Sequence, residues 1–245
     1  MMISGWLTKY NEILKEFNYD KKMDEKSAIL LEKMVKEKNQ FGKLEKIIKN
    51  QNVFVIGSGP SLLKSISFVK NYDKTIKIVA DSAVKLIVEN GIKPDIIVTD
   101  LDGDLTVLNK IGKSKTFFVV HAHGDNIKKL DFVKNFKNFL GTTQTKPFGK
   151  LFNFGGFTDG DRGVFLANYF QAKKIILFGM DFGNRIGKYS ETKPKDRKTK
   201  LKKLKIGKHL LEWLSSKSKA ELFTTSDPIS GFKKIKYEDL DIIIT

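Results

Sequence analysis

Five short apolar segments constrain the fold of this chain more than any other feature of its sequence. They are residues 53–56, 76–80, 96–99, 117–120 and 175–178. Each is rich in β-branched or aromatic residues and is apolar at consecutive positions, as is typical of strands buried on both faces of a parallel sheet. Helical segments are predicted between them at residues 61–71, 83–90 and 162–170. Strands that alternate with helices predict an α/β fold with a doubly wound, mostly parallel sheet.

The first 50 residues precede this pattern and predict a helical N-terminal cap. Apolar residues recur there at helical spacing, and no catalytic constellation is evident. We expect the α/β domain to span residues 51–245. It includes a lysine-rich segment, residues 188–208, and a C-terminal helix at about residues 201–217. The lysine-rich segment fits either a mobile lid over phosphates or a solvated loop.

The composition excludes several classes of protein. With 245 residues, 40% of them hydrophobic, the chain can bury a substantial core. No segment resembles a signal peptide, and no apolar run approaches the roughly 20 residues of a membrane helix. The absence of cysteine excludes disulfides and thiolate metal sites. We therefore expect a cytoplasmic protein that does not bind membranes.

The formal net charge of +17, from 45 basic and 28 acidic residues, has two explanations. Clustered cations bind nucleic acids by releasing phosphate counterions, whereas a lysine-rich surface is also typical of thermophilic proteomes. The excess lies mainly in the first 50 residues and in the lysine-rich segment, and aspartates follow the central apolar segments. A basic rim around an acidic centre suits a nucleoside triphosphate. No nucleic-acid-binding motif is evident, so no nucleic-acid partner is expected.

Small, acidic or imidazole residues follow all five apolar segments. These residues lie at 57–61, 81–82, 100–104, 121–126 and 179–181. The carboxyl ends of parallel strands meet at one edge of a sheet, and ligands bind there. The sequence therefore predicts an active site at this edge.

Residues 57–61, with the sequence Gly-Ser-Gly-Pro-Ser, form a candidate phosphate-binding turn. The glycines permit close backbone approach, and Pro60 suits the first turn of a helix whose N-terminus offers free N–H groups. The motif lacks the Lys-Ser/Thr ending of a Walker A loop and the third glycine of GxGxxG. A tight strand-to-helix turn without a ligand explains the same residues.

Asp100, Asp102 and Asp104 alternate along the chain, so an extended backbone would point their carboxylates to one side. Carboxylates so close repel one another unless a cation neutralises them, and Mg²⁺ prefers oxygen ligands. The motif predicts a magnesium site, and a solvated acidic turn is the alternative.

Two further motifs complete the predicted site. His121 and His123 are expected to have positioning roles, because Mg²⁺ prefers oxygen, and Asp125 is expected to contact the metal or a hydroxyl group. A glycine-rich loop at residues 153–163 leads into a helix. Its Arg162 either clamps a phosphate or forms an Asp–Arg pair that caps this helix.

Taken in order, these motifs resemble those of the archaeal MptE-type 6-hydroxymethyl-7,8-dihydropterin pyrophosphokinases. The resemblance covers about residues 50–215 and rests on residues 57–62, 80–82, 93–95, 99–104, 121–126, 142–145, 155–167 and 178–181. The family is related in plan to thiamine pyrophosphokinases, so the resemblance implies a Rossmann-like, thiamine-pyrophosphokinase-like fold. It also implies Mg²⁺-dependent transfer of diphosphate from ATP to a reduced pterin alcohol, with release of AMP, in tetrahydromethanopterin or folate-type cofactor synthesis.

Under this resemblance each candidate residue receives a role. The catalytic candidates are Asp100, Asp102 and Arg162, and the metal ligands are Asp81, Asp100, Asp102 and Asp125. The nucleotide would contact Gly57, Ser58, Gly59, Pro60, Ser61, Asp81, Ser82, His121 and His123. The pterin would contact Thr143, Gln144, Asp159, Asp161 and Asp181.

Three alternative functions use the same sequence features. A thiamine pyrophosphokinase would also transfer diphosphate to a heterocyclic alcohol. A nucleotide-sugar glycosyltransferase of the motility-associated type has a similar glycine-proline-serine core. A nucleic-acid-binding module would use the positive charge. The sequence leaves the oligomeric state open, including a homo-oligomer.

Overall fold

A computed structural model describes residues 2–35, 40–190 and 192–244 of the chain, and these residues form one eight-stranded sheet. Its strands are β1 Asn52–Ile56, β2 Ile76–Ala80, β3 Ile96–Thr99, β4 Phe117–Ala122, β5 Phe139–Thr143, β6 Lys174–Phe178, β7 Glu221–Thr224 and β8 Lys233–Lys234. They lie in the order β5-β4-β3-β2-β1-β6-β7-β8, and every neighbouring pair is parallel. The predicted α/β fold is confirmed.

Helices cover both faces of this sheet. They are α1 Trp6–Phe17, α2 Lys21–Met34, α3 Gln40–Ile48, α4 Leu62–Asn71, α5 Val84–Glu89, α6 Leu105–Gly112, α7 Asp159–Tyr169, α8 Arg197–Ser215 and α9 Leu240–Ile244. Short 3-10 turns connect several of them. Within the described ranges, no helix is long and apolar enough to cross a membrane.

The apolar strands supply two hydrophobic layers, one on each face. Val53 and Val55 of β1 pack with α1, α3, α7 and α8, whereas Phe54 and Ile56 pack with α2, α4, α5 and α6. Successive residues of a strand point to opposite faces, so a strand that is apolar at every position can be buried on both sides. This burial explains why the continuous apolar segments form the central strands.

The N-terminal segment consists of three helices that pack into these same two layers. Asn18, in a left-handed conformation with φ 52°, ends α1, and the Asp20 side chain accepts a hydrogen bond from the Lys22 N–H at the start of α2. The indole N–H of Trp6 donates to the backbone carbonyl of Gln144, just after β5, at 2.9 Å. This hydrogen bond connects α1 to the end of β5. Residues 36–39 of the predicted cap lie outside the described residues.

Five elements were not predicted from the sequence: α6, α9, β5, β7 and β8. Only two apolar residues begin β5, and Gly141, Thr142 and Thr143 follow them. The two residues of β8 are exposed lysines. These strands form because a neighbouring strand offers backbone partners, and such pairing leaves little trace in the apolar pattern.

We expect Trp6→Phe to lower the free energy of unfolding by about 1–3 kcal/mol, because it leaves the buried Gln144 carbonyl without its donor. Urea denaturation measures the change. Trp213→Phe is the control, since Trp213 also packs against Phe165 but is half-buried. Equal losses in the two variants would mean that ring packing, and not the hydrogen bond, stabilises this contact.

Candidate active site

Four aspartates converge at the carboxyl edge of the sheet. Asp81 follows β2, Asp100 and Asp102 follow β3, and Asp159 begins α7. One carboxylate oxygen from each lies within 4.8 Å of those from the others. We call these four residues the acidic cluster. It contains three of the four predicted metal ligands, together with Asp159, which was predicted to contact the pterin.

The backbone between Asp100 and Asp102 is not extended. Leu101 is left-handed, with φ 66°, an unfavourable conformation for a residue with a side chain, and its side chain is fully buried. Its N–H donates to Thr99 Oγ1 at 2.8 Å. The predicted alignment of three alternating carboxylates is therefore wrong. Asp104 instead accepts hydrogen bonds from the first N–H groups of α6 and lies 3.4 Å from Lys85.

The environment of the acidic cluster perturbs the ionisation of its members. Burial raises the pKa of Asp81 to about 7, although a hydrogen bond from Thr99 opposes this shift. Burial and the charge of Asp100 raise the pKa of Asp102 to about 6. Burial, reinforced by the charge of Asp100, raises the pKa of Asp159 well above its ordinary value. Burial would raise the pKa of Asp100 too, but His123 holds it below its usual range. Three of the four carboxylates therefore resist ionisation without a neutralising partner.

The donor set of the acidic cluster fits a hard divalent cation. Its ligand atoms are all carboxylate oxygens, which Mg²⁺ prefers. Asp81 Oδ1 and Asp100 Oδ1 are buried and have no hydrogen-bond partner among the described residues. Asp81 Oδ2 is fixed by Thr99 Oγ1 at 2.5 Å and by the Gly103 N–H at 3.1 Å. A Cβ on Gly103 would lie 2.1 Å from Asp81 Oδ1, so this position requires glycine.

The two histidines lie beside the acidic cluster. His123 Nδ1 accepts the Asp125 backbone N–H at 3.3 Å, so the ring proton lies on Nε2, which is 3.2 Å from Asp100 Oδ2. His123 therefore orients a cluster carboxylate, in agreement with its predicted positioning role. Burial, with the charge of Arg162, lowers the pKa of His121 well below its ordinary value, and its Nδ1 lies 3.0 Å from Thr142 Oγ1.

Asp125 does not join the acidic cluster. Its side chain is 80% exposed, and its carboxylate lies 3.9 Å from His123 Nδ1. The geometry therefore does not support Asp125 as a metal ligand and favours Asp159 in its place.

Arg162 links the acidic cluster to the end of β5. Its Nη1 lies 3.4 Å from Asp159 Oδ1, and its Nη2 lies 3.4 Å from Gln144 Oε1. Gln144 in turn donates from Nε2 to Asp24 Oδ2 at 2.7 Å. The predicted Asp–Arg pair is present, and the guanidinium also lies where it lowers the pKa of Asp100.

The side chains of Asp161 and Thr143 form hydrogen bonds within the protein interior. Asp161 is fully buried and accepts the backbone N–H groups of Phe157 and Thr158 at 2.6 and 2.7 Å, which caps α7. Thr143 Oγ1 lies 2.9 Å from Thr145 Oγ1. This geometry does not support a pterin contact for either residue.

The turn at residues 57–61 uses much of its hydrogen-bonding capacity internally. The Gly59 N–H donates to the Gly179 carbonyl at 2.7 Å, and the Ser61 N–H donates to Asp181 Oδ2 at 3.0 Å. A Cβ on Gly59 would lie 2.2 Å from that carboxylate oxygen. These contacts favour the tight-turn explanation of the glycines. They also place Asp181 at the start of α4, beside β1 and β6. Gln144, the other residue predicted to contact the pterin, follows β5 and does not lie beside Asp181.

Two serine hydroxyl groups lie beside this turn. Ser58 Oγ lies 2.7 Å from Ser82 Oγ, and Ser82 directly follows Asp81 of the acidic cluster. Pro60, which has no N–H, is exposed. The hydroxyls of Ser58 and Ser82 are thus the polar groups of the turn that adjoin the acidic cluster.

The described part of the lysine-rich segment packs against the α/β unit. Directly before this segment, the chain at Gly187 lies on Ser58, and a Cβ on Gly187 would be 1.8 Å from the Ser58 carbonyl oxygen. From Arg197 the chain is helical, as α8, and Gly207 of α8 allows close approach to Asp161 of α7. Residue 191 lies outside the described residues, and the lid over phosphates stays a prediction.

A cavity of about 240 Å³ adjoins the acidic cluster. It lies between the turn that joins α1 and α2 and the carboxyl ends of β4 and β5, and Asp100 and Arg162 contribute to its lining. Another cavity, of about 360 Å³, is lined by Lys174 and Glu221 at the amino ends of β6 and β7, at the opposite edge of the sheet. Only the former of these two contacts a residue of the acidic cluster.

The MptE-like family, described as 6-hydroxymethylpterin diphosphokinase MptE-like, matches residues 27–187. The chain belongs to this family. It is 43% identical to the 6-hydroxymethyl-7,8-dihydropterin pyrophosphokinase of Methanocaldococcus jannaschii, in an alignment that covers 90% of this chain and 99% of the relative. It is 41% identical to the protein of that name from Pyrococcus furiosus, covering 90% of this chain and 97% of the relative.

The relative from Methanothermobacter thermautotrophicus, which has the same name, is 38% identical, with coverage of 87% of this chain and 95% of the relative. The predicted resemblance to the MptE-type family is therefore confirmed. So is the predicted enzyme class, a diphosphotransferase.

The fold is also similar to that of a solved glycosyltransferase. The MAf glycosyltransferase from Magnetospirillum magneticum AMB-1 matches with a TM-score of 0.61 and 16% sequence identity. The match covers 82% of this chain but only 38% of the glycosyltransferase chain. At this identity the likeness concerns the fold alone.

We expect Asp102→Asn to raise the melting temperature of the metal-free MptE-like protein at pH 8. Asp102, with its pKa of about 6, is ionised there, and the substitution removes its repulsion with Asp100. After allowance for solvent screening, a gain of ~1 kcal/mol would raise the melting temperature by about 2–4 °C. Mg²⁺ should stabilise the wild type more than the variant. Thermal unfolding in EDTA and in Mg²⁺ measures both effects, and a lower melting temperature for metal-free Asp102→Asn would contradict the repulsion.

Proposed function

We propose that this chain transfers diphosphate from ATP to 6-hydroxymethyl-7,8-dihydropterin, giving the pterin diphosphate and AMP. The observation that carries the proposal is the acidic cluster, in a chain whose relatives are named for this pterin reaction. Charge neutralisation between phosphates and carboxylates requires a cation, and the all-oxygen donor set suits Mg²⁺. In this proposal the reaction belongs to tetrahydromethanopterin or folate-type cofactor synthesis, and the use of ATP places it in the cytoplasm.

Residues at the carboxyl edge of the sheet have different proposed roles in the reaction. Asp81, Asp100, Asp102 and Asp159 would hold a metal ion, and such an ion would neutralise charge that develops as the pterin hydroxyl attacks the β-phosphorus of ATP. His123 keeps the Asp100 carboxylate in place through its hydrogen bond. AMP is the leaving group, so the bond between the α,β-bridging oxygen and the β-phosphorus breaks.

Positive side chains act on the acidic cluster, where the reacting phosphates are proposed to bind. Arg162 lies 3.4 Å from Asp159 and also lowers the pKa of Asp100 through its charge. The charges of Lys200 and Lys129 lower the pKa of Asp102, so both ammonium groups act on the acidic cluster. Fixed positive groups at this position stabilise the charge of the transferred diphosphoryl group.

The nucleotide is proposed to lie on the β1 and β2 side of the acidic cluster. Ser58 and Ser82 offer hydroxyl groups there, 2.7 Å apart, next to Asp81. Asp181 already occupies the N-terminus of α4, so the hydroxyl groups of Ser58 and Ser82 are the groups proposed to contact the phosphates. In this arrangement ATP enters beside β1, and the acceptor approaches from the opposite side of the acidic cluster.

Incubation with ATP, Mg²⁺ and the reduced pterin tests the proposed function. We expect AMP to form only when the pterin is present, together with an equal amount of the pterin diphosphate. Parallel reactions with thiamin and with nucleotide sugars test the alternative acceptor and donor classes. A folded, Mg²⁺-loaded protein that forms no pterin-dependent AMP would exclude the proposal.

Asp102→Asn is expected to lower kcat/KM by at least about 100-fold, equivalent to ~2.7 kcal/mol, because it removes a charged ligand from the acidic cluster. Asp104→Asn is the matched control from the same motif. Asparagine also caps helices, and Asp104 lies outside the acidic cluster, so this variant should retain wild-type activity. Steady-state AMP formation measures both, and equal activity of the two variants would refute the role of Asp102.

A further inference from the structure

The cavity of about 240 Å³ has a wall that comes from the N-terminal helices. Asn18, Tyr19 and Asp20 of the turn between α1 and α2, with Met23 of α2, form this wall. Phe157 and Lys203 line another side, and the inner end is formed by Asp100 and Arg162. The N-terminal segment, in which the sequence reveals no catalytic constellation, thus reaches the acidic cluster.

We propose that this cavity binds the acceptor heterocycle, so that α1 and α2 are part of the active site. The inference rests on the proposed function, because it names where the pterin of that reaction binds. The cavity is smaller than the roughly 300–1,000 Å³ typical of drug-sized ligands. It therefore suits a bicyclic ring system and not a nucleoside triphosphate.

The position of the cavity along the sheet edge fits an acceptor site. The cavity adjoins the ends of β4 and β5, the acidic cluster lies at β3 and β2, and the Ser58 turn follows β1. These strands are consecutive neighbours in the sheet. A donor beside β1 and an acceptor beside β4 would meet at the acidic cluster, as a direct transfer between them requires.

The walls of the cavity suit a flat aromatic ring. Tyr19 and Phe157 both line it, and Phe17 lies behind them with ring centroids 5.2 and 5.3 Å away. The Lys203 ammonium lies 5.9 Å from the Tyr19 ring centroid and 5.8 Å from that of Phe157. Aromatic side chains bind planar heterocycles by stacking, and Met23 adds an adaptable apolar contact.

The polar groups of the cavity favour one orientation of the bound ring. At the inner end, Asp100 Oδ1 and Arg162 Nε are buried without a hydrogen-bond partner among the described residues. A hydroxymethyl group at this end would lie beside Asp100 and Arg162, next to the acidic cluster. At the outer end, Asn18 and the exposed Asp20 offer polar side chains to the amino and carbonyl groups of the pyrimidine edge.

Asp24 fixes the N-terminal wall in place. Its carboxylate accepts hydrogen bonds from the Gly124 N–H at 2.8 Å, Tyr10 Oη at 2.5 Å and Gln144 Nε2 at 2.7 Å. These bonds join α1 and α2 to the ends of β4 and β5. A Cβ on Gly124 would lie 2.8 Å from Met23 Cβ, so α2 approaches the β4 end closely enough to need glycine there.

Fluorescence titration of the full chain with 6-hydroxymethylpterin, the fluorescent oxidised form of the acceptor, tests the inference. The titration is made with and without Mg²⁺ and α,β-methylene-ATP, so that ordered binding does not hide the pterin site. We expect Tyr19→Ala to weaken pterin binding by about tenfold, through lost stacking and lost apolar contact, and Tyr19→Phe to stay within about twofold of wild type.

A pair of variants on α2 provides a second measurement that does not depend on Tyr19. Met23→Ala should weaken pterin binding several-fold, whereas Ile29→Ala should not, although the two residues lie on one helix and are similarly exposed, at 42% and 48%. Binding of α,β-methylene-ATP should be unchanged in all four variants. Circular dichroism confirms that each variant is folded.

The outcomes separate the inference from the proposed function. Loss of pterin binding in Tyr19→Ala and Met23→Ala, with nucleotide binding intact, supports the inference. Wild-type pterin affinity in both variants would overturn it and leave the diphosphokinase proposal standing. No binding of 6-hydroxymethylpterin to the wild-type chain, with or without the nucleotide analogue, would overturn the inference, and additional absence of AMP formation with the reduced pterin would overturn the proposed function too.

Discussion

Repulsion among four crowded carboxylates is the constraint on which the architecture of this site depends. One oxygen of each lies within 4.8 Å of those of the others, and burial makes ionisation harder still for Asp81 and Asp159. Such a group persists only where the surrounding fold is rigid enough to hold it. Two buried hydrophobic layers provide this rigidity, and the left-handed, fully buried Leu101 shows that local strain accompanies it. A bound cation would relieve the same repulsion.

The parallel sheet distributes the parts of the site along one edge. Because every described strand pair is parallel, the residues that follow β1 to β5 all emerge on the same side. Ser58 follows β1, Asp81 follows β2, Asp100 follows β3 and Gln144 follows β5. Neighbouring strands lie ~5 Å apart, so this order would bring the proposed donor side, the acidic cluster and the proposed acceptor side within the length of one substrate pair.

The sequence predicted the parts of the fold and site that depend on local pattern. Continuous apolar runs revealed the central strands, and Asp81, Asp100 and Asp102 were found because they directly follow such runs. Asp159 was not predicted to join the acidic cluster, because it reaches this cluster from the start of α7 and does not follow a strand. Asp104 was grouped with the alternating carboxylates, and Asp125 with the metal ligands, by proximity in sequence. In the structure Asp104 caps α6 and Asp125 is exposed to solvent. For Asp159, a contact between elements that are distant in sequence determines which residues its side chain meets.

A buried carboxylate on α2 links the N-terminal helices to the chemistry. Asp24 lies with Ser27, Ala28 and Leu31 on the buried face of α2, where a charge is costly unless it is fully hydrogen-bonded. The hydrogen bonds to Asp24 offset that cost. Through Gln144 the chain of hydrogen bonds continues to Arg162 and Asp159. Because each member of this chain of contacts orients the next, a shift of α2 would move the guanidinium that faces the acidic cluster. The N-terminal helices therefore contribute to the geometry of the active site as well as to the hydrophobic layers.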